Sequence, residues 1–131
     1  MSEKDLCKQA IAAIDRAYAP YSGYRVGAAL LTADGRVFTG CNVENAAYSP
    51  TICAERTAVC KAVSEGARDF VMLAVAGGKD GVVDGAFPPC GVCRQVLAEF
   101  CPADFPVLLV TGEDAYRRTT LGDLLPLAFT L

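Results

Sequence analysis

Histidine is absent from this chain of 131 residues, and so is tryptophan. Without imidazole, any bound zinc must be held by thiolates, with Asp or Glu the only other common ligand type. Basic clusters are missing as well: 12 Lys and Arg stand against 15 Asp and Glu, a net charge of −3. A nucleic-acid polymer normally needs a basic stripe, so no such partner is expected, and a small neutral substrate fits better. No apolar run is long enough to span a bilayer, so no membrane partner is expected either. Linkers, internal repeats and low-complexity segments are lacking, and residues 1–131 read as a single domain. The opening Met-Ser-Glu-Lys-Asp is polar and acidic, unlike a signal peptide, so a cytoplasmic protein with reduced cysteines is expected.

Apolar residues are plentiful at 53%, a surplus that suggests burial between subunits as well as within one. Their pattern predicts a helix over residues 3–18, with Ser2 as N-cap and Leu6, Ala10, Ala13, Ile14 and Ala17 along one face. Residues 26–32 and 36–41 read as strands joined by Ala33-Asp34-Gly35, a hairpin signal. A second helix is expected near 53–65, capped by Thr51 or a neighbour and ended by Gly66. The apolar runs 70–76 and 106–111 predict buried strands, with a Gly- and Pro-rich loop over 77–89 and a third helix over 91–100. Residues 117–120 suit a short edge strand and 121–125 a last helical turn. This order predicts an α/β fold, a three-layer sandwich whose mixed five-stranded sheet carries helices on both faces.

Seven cysteines are present, an odd count that argues against a disulfide framework. Three of them cluster with one acid: Cys53-Ala54-Glu55, then Pro89-Cys90-Gly91-Val92-Cys93. Both groups stand where a loop turns into a helix, and a helix N-terminus favours the thiolate that binds metal. Cys90 and Cys93 share a face of the first turn. Three protein ligands leave a tetrahedral ion one open position, the mark of a catalytic zinc rather than a structural one. Glu55 can carry a proton only if Cys53 occupies the helix cap, because residues two apart do not otherwise face alike. The bland alternative for Glu55 is an acid stabilising a helix start. Three thiolates and a divalent ion leave a net negative charge, and Arg56 is the candidate to offset it by hydrogen bonding to sulfur. A four-cysteine structural site would need Cys7, Cys41, Cys60 or Cys101, none of which lies in a second C-x-x-C pair. A thioredoxin-like use of Cys90-x-x-Cys93 leaves Cys53-Ala54-Glu55 unexplained.

Four segments together carry a resemblance: Cys53-Ala54-Glu55-Arg56-Thr57-Ala58, Pro89-Cys90-Gly91-Val92-Cys93-Arg94-Gln95-Val96, Ala19-Pro20-Tyr21-Ser22 and Gly40-Cys41-Asn42-Val43-Glu44-Asn45-Ala46. From about residue 5 to Phe129, the chain resembles the small homotetrameric zinc-dependent cytidine deaminases of pyrimidine nucleoside salvage. The resemblance implies hydrolytic deamination of cytidine and 2′-deoxycytidine to uridine, 2′-deoxyuridine and ammonia. Zinc-activated hydroxide would attack C4, and Glu55 would pass protons to N3 and to the departing amino group. One Zn²⁺ per chain is implied, on Cys53, Cys90 and Cys93, with Arg56 behind them. Asn42 and Glu44 are implied at the nucleoside sugar, Tyr24 against base or sugar, and backbone groups near Ala54 at the base edge. Phe129, from a neighbouring subunit, would lie over the pyrimidine, and Tyr48 at the shared interface. Position 24 is Tyr where Phe is more usual, and the 77–89 loop is a few residues longer than usual. A deaminase for a modified cytosine nucleoside such as blasticidin S would share the same metal motif.

Overall fold

The computed structural model describes residues Met1–Leu131. Its first helix, α1 (Glu3–Ala13), starts at a capping box: the Asp5 amide donates to Ser2 Oγ at 3.1 Å and the Ser2 amide to the Asp5 carboxylate at 3.4 Å. The expected helix to residue 18 is cut short. After α1 a single tight turn covers Ile14–Arg16, and Ala17 is already extended. Tertiary pairing is the reason, since the Tyr18 amide donates to the Asn42 carbonyl at 2.9 Å and the Glu44 amide to the Tyr18 carbonyl at 2.8 Å. Arg25 then takes up the carbonyls of Ile14 and Asp15 that the helix leaves free.

Strands β1 (Tyr24–Thr32) and β2 (Val37–Cys41) form the expected hairpin, with Gly35 at φ +88° in its turn. Helix α2 (Ala54–Ser64), strand β3 (Phe70–Lys79), helix α3 (Gly91–Phe100), strand β4 (Pro106–Gly112), strand β5 (Ala115–Thr120) and the short α4 (Leu121–Leu124) follow. The sheet order is β2-β1-β3-β4-β5, antiparallel throughout except where β3 meets β4. That one parallel pair needs a crossover, and α3 supplies it. β3 runs three residues beyond the expected Ala76, because Gly77, Gly78 and Lys79 pair with Val26, Arg25 and Tyr24 of β1. Pairing partners outweigh the poor strand propensity of glycine there.

Alternation along the central strands assigns the two cores. Ala28, Leu30, Leu73, Val75, Val107 and Leu109 face α2 and α3, while Ala29, Leu31, Ala74, Ala76, Leu108 and Val110 face α1. Helices therefore cover both faces of a mixed five-stranded sheet, as the element order predicts. No helix is long and apolar enough to cross a membrane.

Helix α2 sits unusually close to the sheet because small residues line the seam. Ala54, Ala58 and Ala62 are fully buried, and a Cβ added at Gly40 of β2 would lie 2.4 Å from the Ala54 carbonyl oxygen. Backbone, not a flexible side chain, occupies that space, so the helix itself would have to move. Gly40→Ala should lower stability by about 1–3 kcal/mol through this overpacking. Because Ala54 adjoins Cys53, it should also weaken metal retention. Urea denaturation and chelator competition on one preparation would check both; an unchanged midpoint would contradict the tight seam.

Candidate metal centre and active-site cleft

Cys53 is the N-cap of α2 and Cys90 the N-cap of α3, both with extended backbone (ψ 155° and 168°). Neither cap has a side-chain hydrogen bond to its helix, so the first-turn amides of both helices direct their partial positive charge toward the same point. Thr51, an alternative cap in the sequence, instead accepts from the Asn45 amide at 3.1 Å. Cys93 lies one turn into α3 and is fully buried. The sulfurs of Cys53 and Cys90 are 3.7 Å apart, those of Cys90 and Cys93 3.5 Å, and all three lie within 4.8 Å of one another. Zinc–sulfur bonds of about 2.3 Å at tetrahedral angles place sulfurs roughly 3.8 Å apart, so the donor set fits that ion in type and spacing. The other four cysteines lie outside the cluster.

The Cys53 thiol is drawn down to about 5, chiefly by hydrogen bonding from Cys93, with Arg56 and Cys90 adding to it. Cys93, as donor to that thiolate and a buried group, is pushed the other way. Arg56 Nη2 stands 3.6 Å from Cys53 Sγ and 3.3 Å from the Thr51 carbonyl oxygen. Its Nε is buried without a partner. A cation thus lies against the sulfur cluster from the α2 side.

Glu55 follows Cys53 by two residues and, with Cys53 in the cap, its side chain turns into the cleft lined also by Cys53 and Cys90. It is only 4% exposed. Burial pushes its carboxyl up to about 7, with the nearby Cys53 charge adding to the rise. The same cleft, of about 210 Å³, is lined also by Asn42, Glu44 and Ser22. Asn42 is clamped to β1: the Val26 amide donates to its Oδ1 at 2.9 Å, and its Nδ2 donates to the Tyr24 carbonyl at 2.7 Å. Glu44 accepts from the amides of Tyr21 (2.9 Å) and Ser22 (3.1 Å) and from the Ser22 hydroxyl. That hydroxyl, above all, holds its carboxyl below the usual range. Each group keeps free capacity, an N–H on Asn42 and lone pairs on Glu44.

Tyr24 also lines the cleft, its ring centroid 6.0 Å from that of Phe87. Ala54, at the α2 start, also lines the cleft. Tyr48 does not: it is 73% exposed, at φ +63°, edge-on to Tyr21 with centroids 6.4 Å apart. Phe129 is 67% exposed and outside its own chain's cleft; its carbonyl accepts from Gln95 Nε2 at 3.0 Å. Sequence reasoning did not single out Ser22 as the support of Glu44, nor Phe87 as a wall. The available signals were Ser22's place in the Ala19-Pro20-Tyr21-Ser22 motif and a lone aromatic in a Gly- and Pro-rich loop three residues before Cys90.

A layered α/β domain that gathers three cysteines and a buried glutamate at two helix N-termini has the architecture of a zinc-dependent hydrolytic enzyme. The model described as "cytidine and deoxycytidylate deaminase zinc-binding region" matches residues 1–109, and the chain belongs to that family. It is 52% identical over 130 residues to a cytidine deaminase of Halalkalibacterium halodurans, covering 99% of this chain and 96% of that one. Against a cytidine deaminase of Sporosarcina psychrophila it is 49% identical over 130 residues, covering 99% and 93%. The crystal structure of cytidine deaminase from Burkholderia pseudomallei superposes with a TM-score of 0.90 at 47% identity, covering 98% of this chain and all (100%) of that one.

Two outcomes follow from the charges at the site. Arg56→Ala should weaken zinc retention about 10–100-fold, as loss of a partner behind a metal ligand commonly does; chelator competition at equal protein folding would measure it, and unchanged retention would sink the role. For Glu55, a folded pKa near 7 against an ordinary 4.5 means its stability contribution is fully present below pH 4.5 and lost as pH rises through 7. Glu55→Gln, stripped of metal, should therefore match the unmodified chain at acid pH and exceed it by about 3 kcal/mol near pH 8. Denaturant midpoints across that range test the sign.

Proposed function

We propose that the chain hydrolyses cytidine and 2′-deoxycytidine to uridine and 2′-deoxyuridine, releasing ammonia. The observation that carries the proposal is one cleft, bordered by the three-sulfur cluster, whose lining combines a buried carboxyl with raised pKa and two side chains with free hydrogen-bonding capacity, Asn42 and Glu44. In this reading Cys53, Cys90 and Cys93 hold a single zinc ion. Such an ion supplies a Lewis acid that ionises water near neutral pH.

The chain's own residues account for the rest. Glu55, poised near neutrality by burial, can take a proton from water and give it to pyrimidine N3, then return one to the amino group leaving C4. With Cys53 in the cap of α2, it is buried in the wall of the cleft that Cys53 and Cys90 also line, away from solvent. The Ala54 backbone, at the same helix start, suits the polar edge of the base. Arg56 offsets negative charge on the sulfurs. Asn42 and Glu44 hold the sugar hydroxyls, the carboxylate kept ionised and aimed by Ser22. Tyr24 flanks the ring and the sugar.

The reading includes a homotetramer with shared active sites. Tyr48 and Phe129 are large, apolar and turned outward, and Leu127 and Leu131 are fully exposed beside Phe129. Such a patch costs less when covered by another copy, and Phe129 would then reach a neighbour's cleft. A place in pyrimidine salvage, in the cytoplasm, is consistent with reduced cysteines, which the metal role requires.

The test is the ultraviolet change as cytidine or deoxycytidine is converted, read with zinc per chain and with chelator. Glu55→Gln should keep its zinc and lose about 10²–10⁴-fold in turnover. Retained turnover in a zinc-loaded Glu55→Gln protein would refute the proton-carrier role. Turnover of blasticidin S but of neither cytidine nor deoxycytidine would replace the substrate.

A further inference from the structure

Resting on the deaminase reading, the geometry points to Phe87 as the residue that limits the size of substituent the pyrimidine can carry at C5. Two arms meet at the sulfur cluster. One is the start of α2, where Cys53 is followed by Ala54 and Glu55; the other is the segment Phe87-Pro88-Pro89 leading into Cys90. A pyrimidine presenting C4 to that corner has N3 on one side of C4 and C5 on the other. Glu55 and Ala54, the groups able to hydrogen-bond the N3 edge, both come from the α2 arm. The C5 edge must then face the opposite arm, whose cleft-lining side chains are Phe87 and Pro88. The sugar, on N1 across the ring from C4, points away toward Asn42 and Glu44, as their position requires.

Phe87 is also held rigidly enough to act as a wall. Its ring packs against the core cluster under α2 and α3 and against Tyr24, at 6.0 Å between centroids. The loop that carries it is tied at both ends. At the near end, Lys79 Nζ donates to the Ser22 carbonyl at 2.8 Å and the Asp80 amide to the Gly23 carbonyl at 2.7 Å. The backbone folds back so closely that a Cβ on Gly78 would lie 1.9 Å from the Val82 carbonyl oxygen. At the far end, Arg94 Nε donates to the Pro89 carbonyl at 2.7 Å. A wall fixed this way excludes by size, where a flap would yield. Held at both ends, the loop seats an aromatic side chain in the cleft wall beside Cys90.

Steady-state kcat/KM on cytidine, 5-methylcytidine and 5-iodocytidine would test the assignment, using the zinc-loaded protein and its Phe87→Ala and Phe87→Val variants. Removing the ring should raise the 5-iodocytidine-to-cytidine ratio of kcat/KM by about 10-fold or more, the scale a hydrophobic pocket assigns to small changes of volume. The 5-methylcytidine ratio should move less. Phe87→Val keeps an apolar anchor for the loop, so the assignment stays testable if Phe87→Ala unfolds; Tm and zinc per chain identify that case. A ratio within twofold of the unmodified protein's, or a parallel fall on all three nucleosides, would overturn the role of Phe87 while leaving the deaminase reading intact. Absence of cytidine turnover by the unmodified protein would instead overturn the deaminase reading, and this one with it.

Discussion

Three cysteine sulfurs within 4.8 Å of one another are an electrostatic liability, and most of the local architecture answers to it. As thiolates they repel, and a divalent ion removes only part of that charge. Two helix N-termini converge on the cluster, each with its cap position given to a cysteine rather than to a Ser, Asp or Asn that would absorb the free amides. Arg56 approaches Cys53 from behind. Convergence of this kind demands that α2 and α3 lie side by side on one face of the sheet. The same helix packs close to β2 across a seam of alanines and Gly40, which fixes where Cys53 stands.

The two glutamates of the cleft are set apart by environment. Glu55 is buried, has no cation of its own to offset desolvation fully, and is raised to about 7. Glu44 stands in a nest of donors from Tyr21 and Ser22 and is lowered. One residue type thus yields a group that can exchange protons near neutrality and another that stays an acceptor. Carboxyls pushed apart in this way mark distinct roles in a site. The absence of histidine gives the difference its weight, since no side chain in the cleft has an unperturbed pKa near neutrality and burial of Glu55 supplies one.

Much of this was legible in the residues, and the exceptions share a cause. Capping at Ser2, the hairpin at Gly35 and the apolar strands are local signals, and they place the elements to within a few residues. The early end of α1 and the extension of β3 through Gly77 and Gly78 were not legible, because distant partners decide both: Tyr18 pairs with the segment after β2, and the two glycines with β1. The cysteine-glutamate spacing identified the metal chemistry, but the spacing alone left open how Glu55 faces the cluster. An extended Cys53 in the cap position resolves that. Ser22 and Phe87 stayed hidden for the same tertiary reason. Nothing in their local sequence says that one clamps Glu44 and the other meets Tyr24.

Helix α3 joins the metal corner to the part of the molecule that turns outward. Its N-terminus carries Cys90 and Cys93, and the next two residues reach the C-terminal segment. Arg94 Nη1 donates to the Leu124 carbonyl at 2.6 Å while its Nε holds Pro89, and Gln95 holds the Phe129 backbone. One guanidinium therefore sets the distance between the carbonyl preceding Cys90 and the end of α4, from which the exposed tail departs. On the proposed assembly, the tail's Phe129 serves a neighbour's cleft while its backbone is registered to its own chain's metal-bearing helix. Metal geometry and intersubunit geometry would then be fixed by adjacent residues of one helix, so that a displaced α3 disturbs two active sites together.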